Sequence, residues 1–335
     1  MMRSTKQKIA ASLFALLTLC IALVCYHLFS ALPLAKLPVE FAIDQGSSLK
    51  ATAAKLRHDG VLDTDWSFVM LARLTGKTKQ IRFGNYLLEK PISRFGLLDM
   101  ISKGKTDQSQ IQIRIIEGTT FKDLRKILDE HPKLRHDSTA LTEAELLQRI
   151  GATEQAAEGL FFPDTYYFST GSSDLVVLKT AYKTMQRHLE AAWQNHDQES
   201  QLSSPYEALI LASIVEKETG KASDRPMIAT VFLNRLRRGM RLQTDPTVIY
   251  GMGEQFDGNL RRRDLTADTP YNTYTRYGLP PTPIALPGLE SIRAVMQAPL
   301  GKELYFVAKG DGSSHFSRSL IEHNQAVREY QLKRK

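Results

Sequence analysis

From Ile9 to Ala35 the sequence carries no charged side chain, and the stretch Ile9 to Phe29 (IAASLFALLTLCIALVCYHLF) is mostly apolar. At about 1.5 Å of rise per residue, a helix over that stretch spans roughly 30 Å, the hydrocarbon thickness of a bilayer. A secretory signal has an apolar run of only about 7 to 15 residues and a small-x-small cleavage site. The run therefore reads as an uncleaved transmembrane helix over 9–30. Arg3, Lys6 and Lys8 precede it, and the positive-inside rule keeps that 1–8 tail cytoplasmic and sends residues 36–335 across the membrane. No second run of about 18 apolar residues follows, so one crossing is expected.

Both cysteines, Cys20 and Cys25, fall inside the run. The exported part is left without disulfides, a thiol nucleophile or Cys-ligated zinc. Its 42% hydrophobic and 24% charged residues suffice for a packed core and exclude wholesale disorder. The 44 Lys and Arg against 36 Asp and Glu are not gathered into a dense basic track, so no nucleic-acid partner is expected.

The periodicities divide the exported part in two. Leu37–Ile43 reads as a strand, Leu49–Asp59 and Asp65–Leu74 as helices, Ile81–Leu88 as strand-like and Ile92–Ser102 as a short helix. Together these make a compact mixed α/β module over 37–106. The polar, turn-rich Gly104–Gln110 marks a boundary, and 107–332 forms a larger, mainly helical α+β domain. In it, Ile111–Ile116 alternates as a strand. Helices are expected at Phe121–Leu128, about 141–150, Leu175–Gln194, Glu207–Thr219, Pro226–Arg238, about 289–297 and Ser319–Leu332. Leu304–Ala308 reads as a strand and Gly239–Pro287 as loop-rich, with Arg241–Tyr250 extended. The aromatic cluster Glu158–Phe168 fits core packing beneath a Pro-Asp turn better than a platform for sugar rings.

The most informative helix is Glu207–Thr219. At about 100° per residue, Ala208, Leu211, Ala212, Ile214 and Val215 cluster on one arc with Glu218 in its middle, while Ser213, Glu216 and Lys217 fall on the other side. A carboxyl group on an apolar face is desolvated, which raises its pKa toward that of a general acid. Glu218 is thus the candidate acid and Glu216 a solvated residue. The competing structural role for Glu218 is an ion pair with Arg235, Arg237 or Arg241. Downstream, Gln243, Thr244 and Asp245 supply hydrogen-bonding groups, and Tyr271–Pro283 adds three tyrosines, amides and hydroxyls, the mixture a carbohydrate groove uses. The sequence has no His-Glu-x-x-His, no Gly-x-Ser-x-Gly, no Ser-x-x-Lys and no Gly-rich phosphate loop. Metal, serine-nucleophile and nucleotide chemistry are therefore not expected, nor is any cofactor.

Four blocks occur in order: Ala212-Ser-Ile-Val-Glu-Lys-Glu-Thr219; Val231-Phe-Leu-Asn-Arg-Leu236 with Gly239 to Gly251; Tyr271-Asn-Thr-Tyr-Thr275 with Gly278-Leu-Pro-Pro281; and Leu304-Tyr-Phe-Val307. They resemble the endolytic murein transglycosylase family, also called YceG-like, over nearly the whole chain. The resemblance implies an inner-membrane protein with a small LysM-like module and a catalytic domain that cleaves peptidoglycan glycan strands internally, near peptidoglycan synthases as partners. It makes Glu218, the Glu of the Glu-Thr pair, the catalytic acid. By the same resemblance Asn234, Gln243, Tyr271 and Asn272 are expected at the substrate, together with Thr273, Tyr274 and Glu158. Two rivals stand beside this reading: a hydrolase with Asp245 or Glu158 as the second carboxylate, and a non-catalytic scaffold that only holds glycan.

Overall fold

The computed structural model describes residues 2–34, 37–44, 47–103, 110–196 and 201–332. The chain is α+β and divides into two compact units, Met1–Ile113 with Tyr166–Ser172, and Arg114–Thr165 with Ser173–Lys335. The expected boundary at 104–109 lies outside the described residues.

The first unit opens with helix α1 (Met2–Phe29). Among the described residues no helix is long and apolar enough to cross a membrane. The expected transmembrane helix, and the single-pass inner-membrane location with a periplasmic catalytic domain, are corrected on that finding. The last turn of α1 is taken up by protein. The Phe29 ring lies 5.2 Å from that of Phe95, and the His27 carbonyl accepts from Arg94 Nη1 at 2.6 Å.

The rest of that unit runs β1 (Val39–Ile43), α2 (Leu49–His58), α3 (Asp65–Leu74), β2 (Gly84–Leu88) and α4 (Arg94–Lys103). β1 and β2 pair antiparallel with Phe41 opposite Tyr86, and those two rings stack at 5.4 Å. Leu56, Phe68, Leu97, Leu98 and Ile101 close the core around them. Strand β3 (Gln110–Arg114) pairs with β4 (Thr165–Ser169). The sequence pattern did not show β4, because its aromatic run lacks a clean alternation.

The second unit holds α5 (Phe121–Asp129), α6 (Glu143–Ile150), α7 (Asp174–Trp193), α8 (Pro205–Glu218), α9 (Arg225–Arg237), α10 (Asp245–Met252), α11 (Arg262–Thr266), α12 (Leu289–Met296), β5 (Tyr305–Ala308), β6 (Ser314–Ser317) and α13 (Leu320–Val327). Helix α8 starts where its sequence says it should. Ser204 caps it by accepting from Glu207 N at 3.2 Å, Pro205 sits in the first turn where its missing N–H costs nothing, and Glu207 favours the positive helix end.

Helix α8 is surrounded by α7, α9, α10 and α12, and every residue from Ala208 to Val215 is buried. The two-faced reading of this helix is therefore wrong over its centre. Ser213, assigned to the polar side, is fully buried. Its hydroxyl donates to Ile210 O at 2.7 Å and accepts from Ile284 N at 2.9 Å. Ile284, Ala285 and Leu286, read as part of a loop, are core residues laid against the helix.

Candidate functional site

Helix α8 ends at Glu218, and Thr219 is already extended at φ −148°, ψ 135°. A carboxylate in the last turn faces the negative end of the helix dipole, which disfavours its charge. The segment that meets it is 243–245. Here the extended reading is corrected: Thr244 occupies the N-cap of α10, followed by Asp245 and Pro246 in the first turn. Thr-Asp-Pro is a helix-start signal that the sequence did carry. An N-cap hydroxyl ordinarily accepts from a backbone N–H. The Thr244 hydroxyl makes no such bond and donates instead to Glu218 Oε1.

Two more threonines hold Thr244 in place. Thr273 Oγ1 accepts from Thr244 N at 3.1 Å, and Thr247 Oγ1 lies 2.9 Å from Thr273 Oγ1 while donating to Thr244 O at 2.8 Å. Thr244, Thr247 and Thr273 are all buried. Gln243 precedes them at φ 50°, a left-handed conformation that costs a non-glycine residue about 1 to 2 kcal/mol. The bond from Gln243 N to Thr273 O, at 3.1 Å, holds it there.

Glu218, Gln243, Asp245 and Tyr274 line one cleft of about 410 Å³ together with Arg235, Tyr305, Phe306, Leu320 and His323. The Tyr274 hydroxyl donates to Asp245 Oδ1 at 2.6 Å. Glu218 is half-buried at the cleft surface, and burial pushes its pKa up. The Thr244 hydroxyl opposes that shift, the Asp245 charge adds to it, and the Arg235 charge opposes it. Arg235 is not an ion-pair partner. Its Nε donates to Leu304 O at 2.7 Å and its Nη1 to Leu242 O at 2.6 Å.

Glu216 is not solvated, which corrects the sequence reading. Its side chain is 6% exposed. Arg225 Nη2 donates to Oε1 at 3.1 Å, while Gly288 N and Ser291 Oγ donate to Oε2 at 2.9 and 2.7 Å. Both glutamates are shielded, so burial does not tell them apart. Their partners do: Glu216 is neutralised and fully bonded, whereas Glu218 has one hydroxyl donor and an open cleft.

Of the remaining sequence candidates, Asn234, Tyr271 and Asn272 do not line the cleft. Asn272 is fully buried, donating Nδ2 to the carbonyls of Asp264, Leu265 and Ala267 and accepting from Tyr274 N at 2.8 Å. It shapes the loop that carries Tyr274. Tyr271 packs edge-on to Tyr250 at 4.9 Å, and its hydroxyl lies 2.9 Å from Thr282 Oγ1. Asn234 Nδ2 donates to Gly301 O and Glu303 O. Sequence reasoning gave no role to Tyr305, Phe306, Leu320 or His323. The Leu304–Val307 block was visible, but nothing in the sequence placed it opposite Glu218.

The model of the YceG-like family matches residues 41–329. The endolytic murein transglycosylase of Bacillus subtilis is 30% identical over 312 residues, covering 88% of this chain and 85% of that protein. The endolytic murein transglycosylase of Streptococcus pneumoniae is 28% identical over 339 residues, and the match spans 61% of its length. A solved structure of a yceG-like protein from Listeria monocytogenes superposes with a TM-score of 0.54 at 29% identity, over 87% of this chain and 99% of that one.

Glu158 does not line the cleft and is buried. Phe121 N donates to both its oxygens at 3.0 and 3.1 Å, and the Tyr250 hydroxyl donates at 3.1 Å. The next residue, Gly159, has φ +82°, and a Cβ there would stand 2.4 Å from Pro283 Cβ, so the chain passes Glu158 by a route only glycine permits. Burial pushes the Glu158 carboxyl from 4.5 up to about 7, against those hydrogen bonds. Between these two values the folded state holds a proton that the unfolded state has lost. The Glu158 contribution to stability should therefore be full below about pH 4.5 and be lost, by about 3 kcal/mol, as pH rises through 7. Urea denaturation at pH 5 and pH 8 should show this loss in the wild type and a much flatter response in Glu158→Gln. Equal slopes would show that Glu158 is not the group responsible.

Proposed function

This chain belongs to the YceG-like family, and we propose that it is a lytic transglycosylase that cuts peptidoglycan glycan strands internally, with Glu218 as its acid and base. The observation that carries the reading is a single desolvated carboxyl group, free of ion pairs among the described residues, open to a cleft that also offers Gln243, Asp245 and Tyr274. The names of the relatives from Bacillus subtilis and Streptococcus pneumoniae support the substrate class. The β1–α2–α3–β2 arrangement supports reading the first unit as a LysM-like module that holds glycan.

The reaction needs one carboxyl group twice. Protonated Glu218 gives its proton to the oxygen of the MurNAc-GlcNAc bond as that bond breaks, and an oxocarbenium-like centre develops at C1. The resulting carboxylate then takes the proton of the same sugar's C6 hydroxyl while that oxygen closes on C1. A 1,6-anhydro ring forms, Glu218 is again protonated, and no water is consumed. Thr244 suits both halves, because its hydroxyl fixes the carboxyl group in the protonated state and stabilises the carboxylate once the proton has left. Asp245 acts by repulsion, favouring the protonated form at the start. Glu158 does not line the cleft, which disfavours it as a second carboxylate.

Two experiments test this. Glu218→Gln should lower cleavage of purified glycan strands by roughly 10² to 10⁴, and wild-type products should carry ends one water lighter than reducing ends. Products of reducing-end mass would establish a hydrolase, a wild-type chain that leaves the strands uncut would establish a scaffold, and an unaffected Glu218→Gln variant would place the acid elsewhere. The pH profile of kcat/KM probes the electrostatics. Activity needs protonated Glu218 and is lost as pH rises through its folded pKa. Thr244→Val removes a donor to the carboxylate and should move that alkaline limb to higher pH, whereas Asp245→Asn removes a like charge and should move it lower. Shifts of the same sign in both variants would contradict the assigned causes.

A further inference from the structure

The mechanism uses the Glu218, Asp245 and Tyr274 side of the cleft and leaves the other side without a role. That side is Tyr305 and Phe306 from β5 with Leu320 and His323 from α13. Helix α9 holds it rigidly. Thr230 Oγ1 donates to Pro299 O at 2.8 Å, Asn234 Nδ2 to Gly301 O and Glu303 O, and Arg235 Nε to Leu304 O. The Phe232 ring meets Phe306 edge-on at 5.9 Å. The Arg235 guanidinium lies 5.3 Å from the centroid of the Tyr305 ring, and the His323 imidazole stacks on Tyr305 at 5.3 Å.

Two features of this wall are unspent. Leu320 is 55% exposed, an apolar side chain given to water at the rim of the cleft. The His323 ring, stacked on Tyr305, is the other, since the mechanism gives it no part. Burial, with Arg235 and His315 nearby, keeps the His323 pKa below its ordinary value, so at neutral pH the imidazole is uncharged. A flat aromatic and aliphatic surface suits a pyranose ring, whose C–H faces are apolar.

We propose that Tyr305, Phe306, Leu320 and His323 form a sugar-binding subsite that stacks one N-acetylated residue of the strand against their apolar faces. The proposal rests on the glycan reading of Glu218 and assigns to the C-terminal segment a binding role, separate from the chemistry. The test is steady-state cleavage of soluble, uncrosslinked glycan strands by the full chain. His323→Ala and Leu320→Arg should each raise KM roughly five- to tenfold with kcat within about twofold of wild type. His323→Phe, which keeps a ring face stacked on Tyr305, should recover most of the loss. Leu320 is exposed enough to take a charge without unfolding, so it keeps the test valid if His323→Ala is unstable. A wild-type KM in Leu320→Arg, or losses confined to kcat in these variants, would overturn the subsite and leave Glu218 untouched. A wild-type chain that does not cut the strands would overturn the parent reading and this one with it.

Discussion

The hydrogen bond from Thr244 to Glu218 is the constraint around which the second unit is arranged. A carboxyl group that is to give up a proton at neutral pH must be desolvated, and a desolvated carboxyl group without a partner would be both misplaced and costly. One hydroxyl resolves this. It fixes the rotamer and remains bonded in either protonation state, while adding no charge that would commit Glu218 to a salt bridge. The requirement then passes down the chain. Thr244 must surrender its capping role at α10, Thr247 and Thr273 must hold its backbone, and Asn272 must shape the loop that brings Thr273 and Tyr274 there.

The same logic explains why two glutamates two residues apart differ. Glu216 is spent on Arg225, Gly288 and Ser291, which fastens the end of α8 to α9 and α12. Glu218 inherits a fixed backbone from that fastening. Helix α9 plays a parallel part on the other side: Thr230, Asn234 and Arg235 are spent on carbonyl groups of residues 299–304. The cleft thus has one wall held by threonines and another held by donors from α9, with the acid between polar and aromatic surfaces.

Legibility in the sequence followed locality. Most helices in both units were readable within a few residues, because apolar spacing, Ser204-Pro205 and similar caps are local signals, whereas α10 and α11 were read as extended or loop. Glu218 was selected, yet the wheel argument behind it was only half sound, since α8 is buried all round and Glu216 is as shielded as its neighbour. The difference between them lies in Arg225, Gly288 and Ser291, and only folding brings those last two to α8. Asn234, Asn272 and Thr273 were legible as important polar residues but not as struts, because their partners are backbone carbonyl and N–H groups, which leave no trace in the sequence. The apolar run at the amino terminus was legible as a helix; its end is used by Phe95 and Arg94, a tertiary fact that hydropathy does not contain.

The account stands on Glu218 keeping its proton above the ordinary glutamate range while Thr244 is bonded to it. Carbon-13 NMR titration of the glutamate side-chain carboxyl groups, with the Glu218 signal assigned by its loss in Glu218→Gln, measures this directly. The expected result is a Glu218 titration midpoint clearly above 4.5 that rises further in Thr244→Val. A midpoint at or below that value would contradict a carboxyl group poised as an acid.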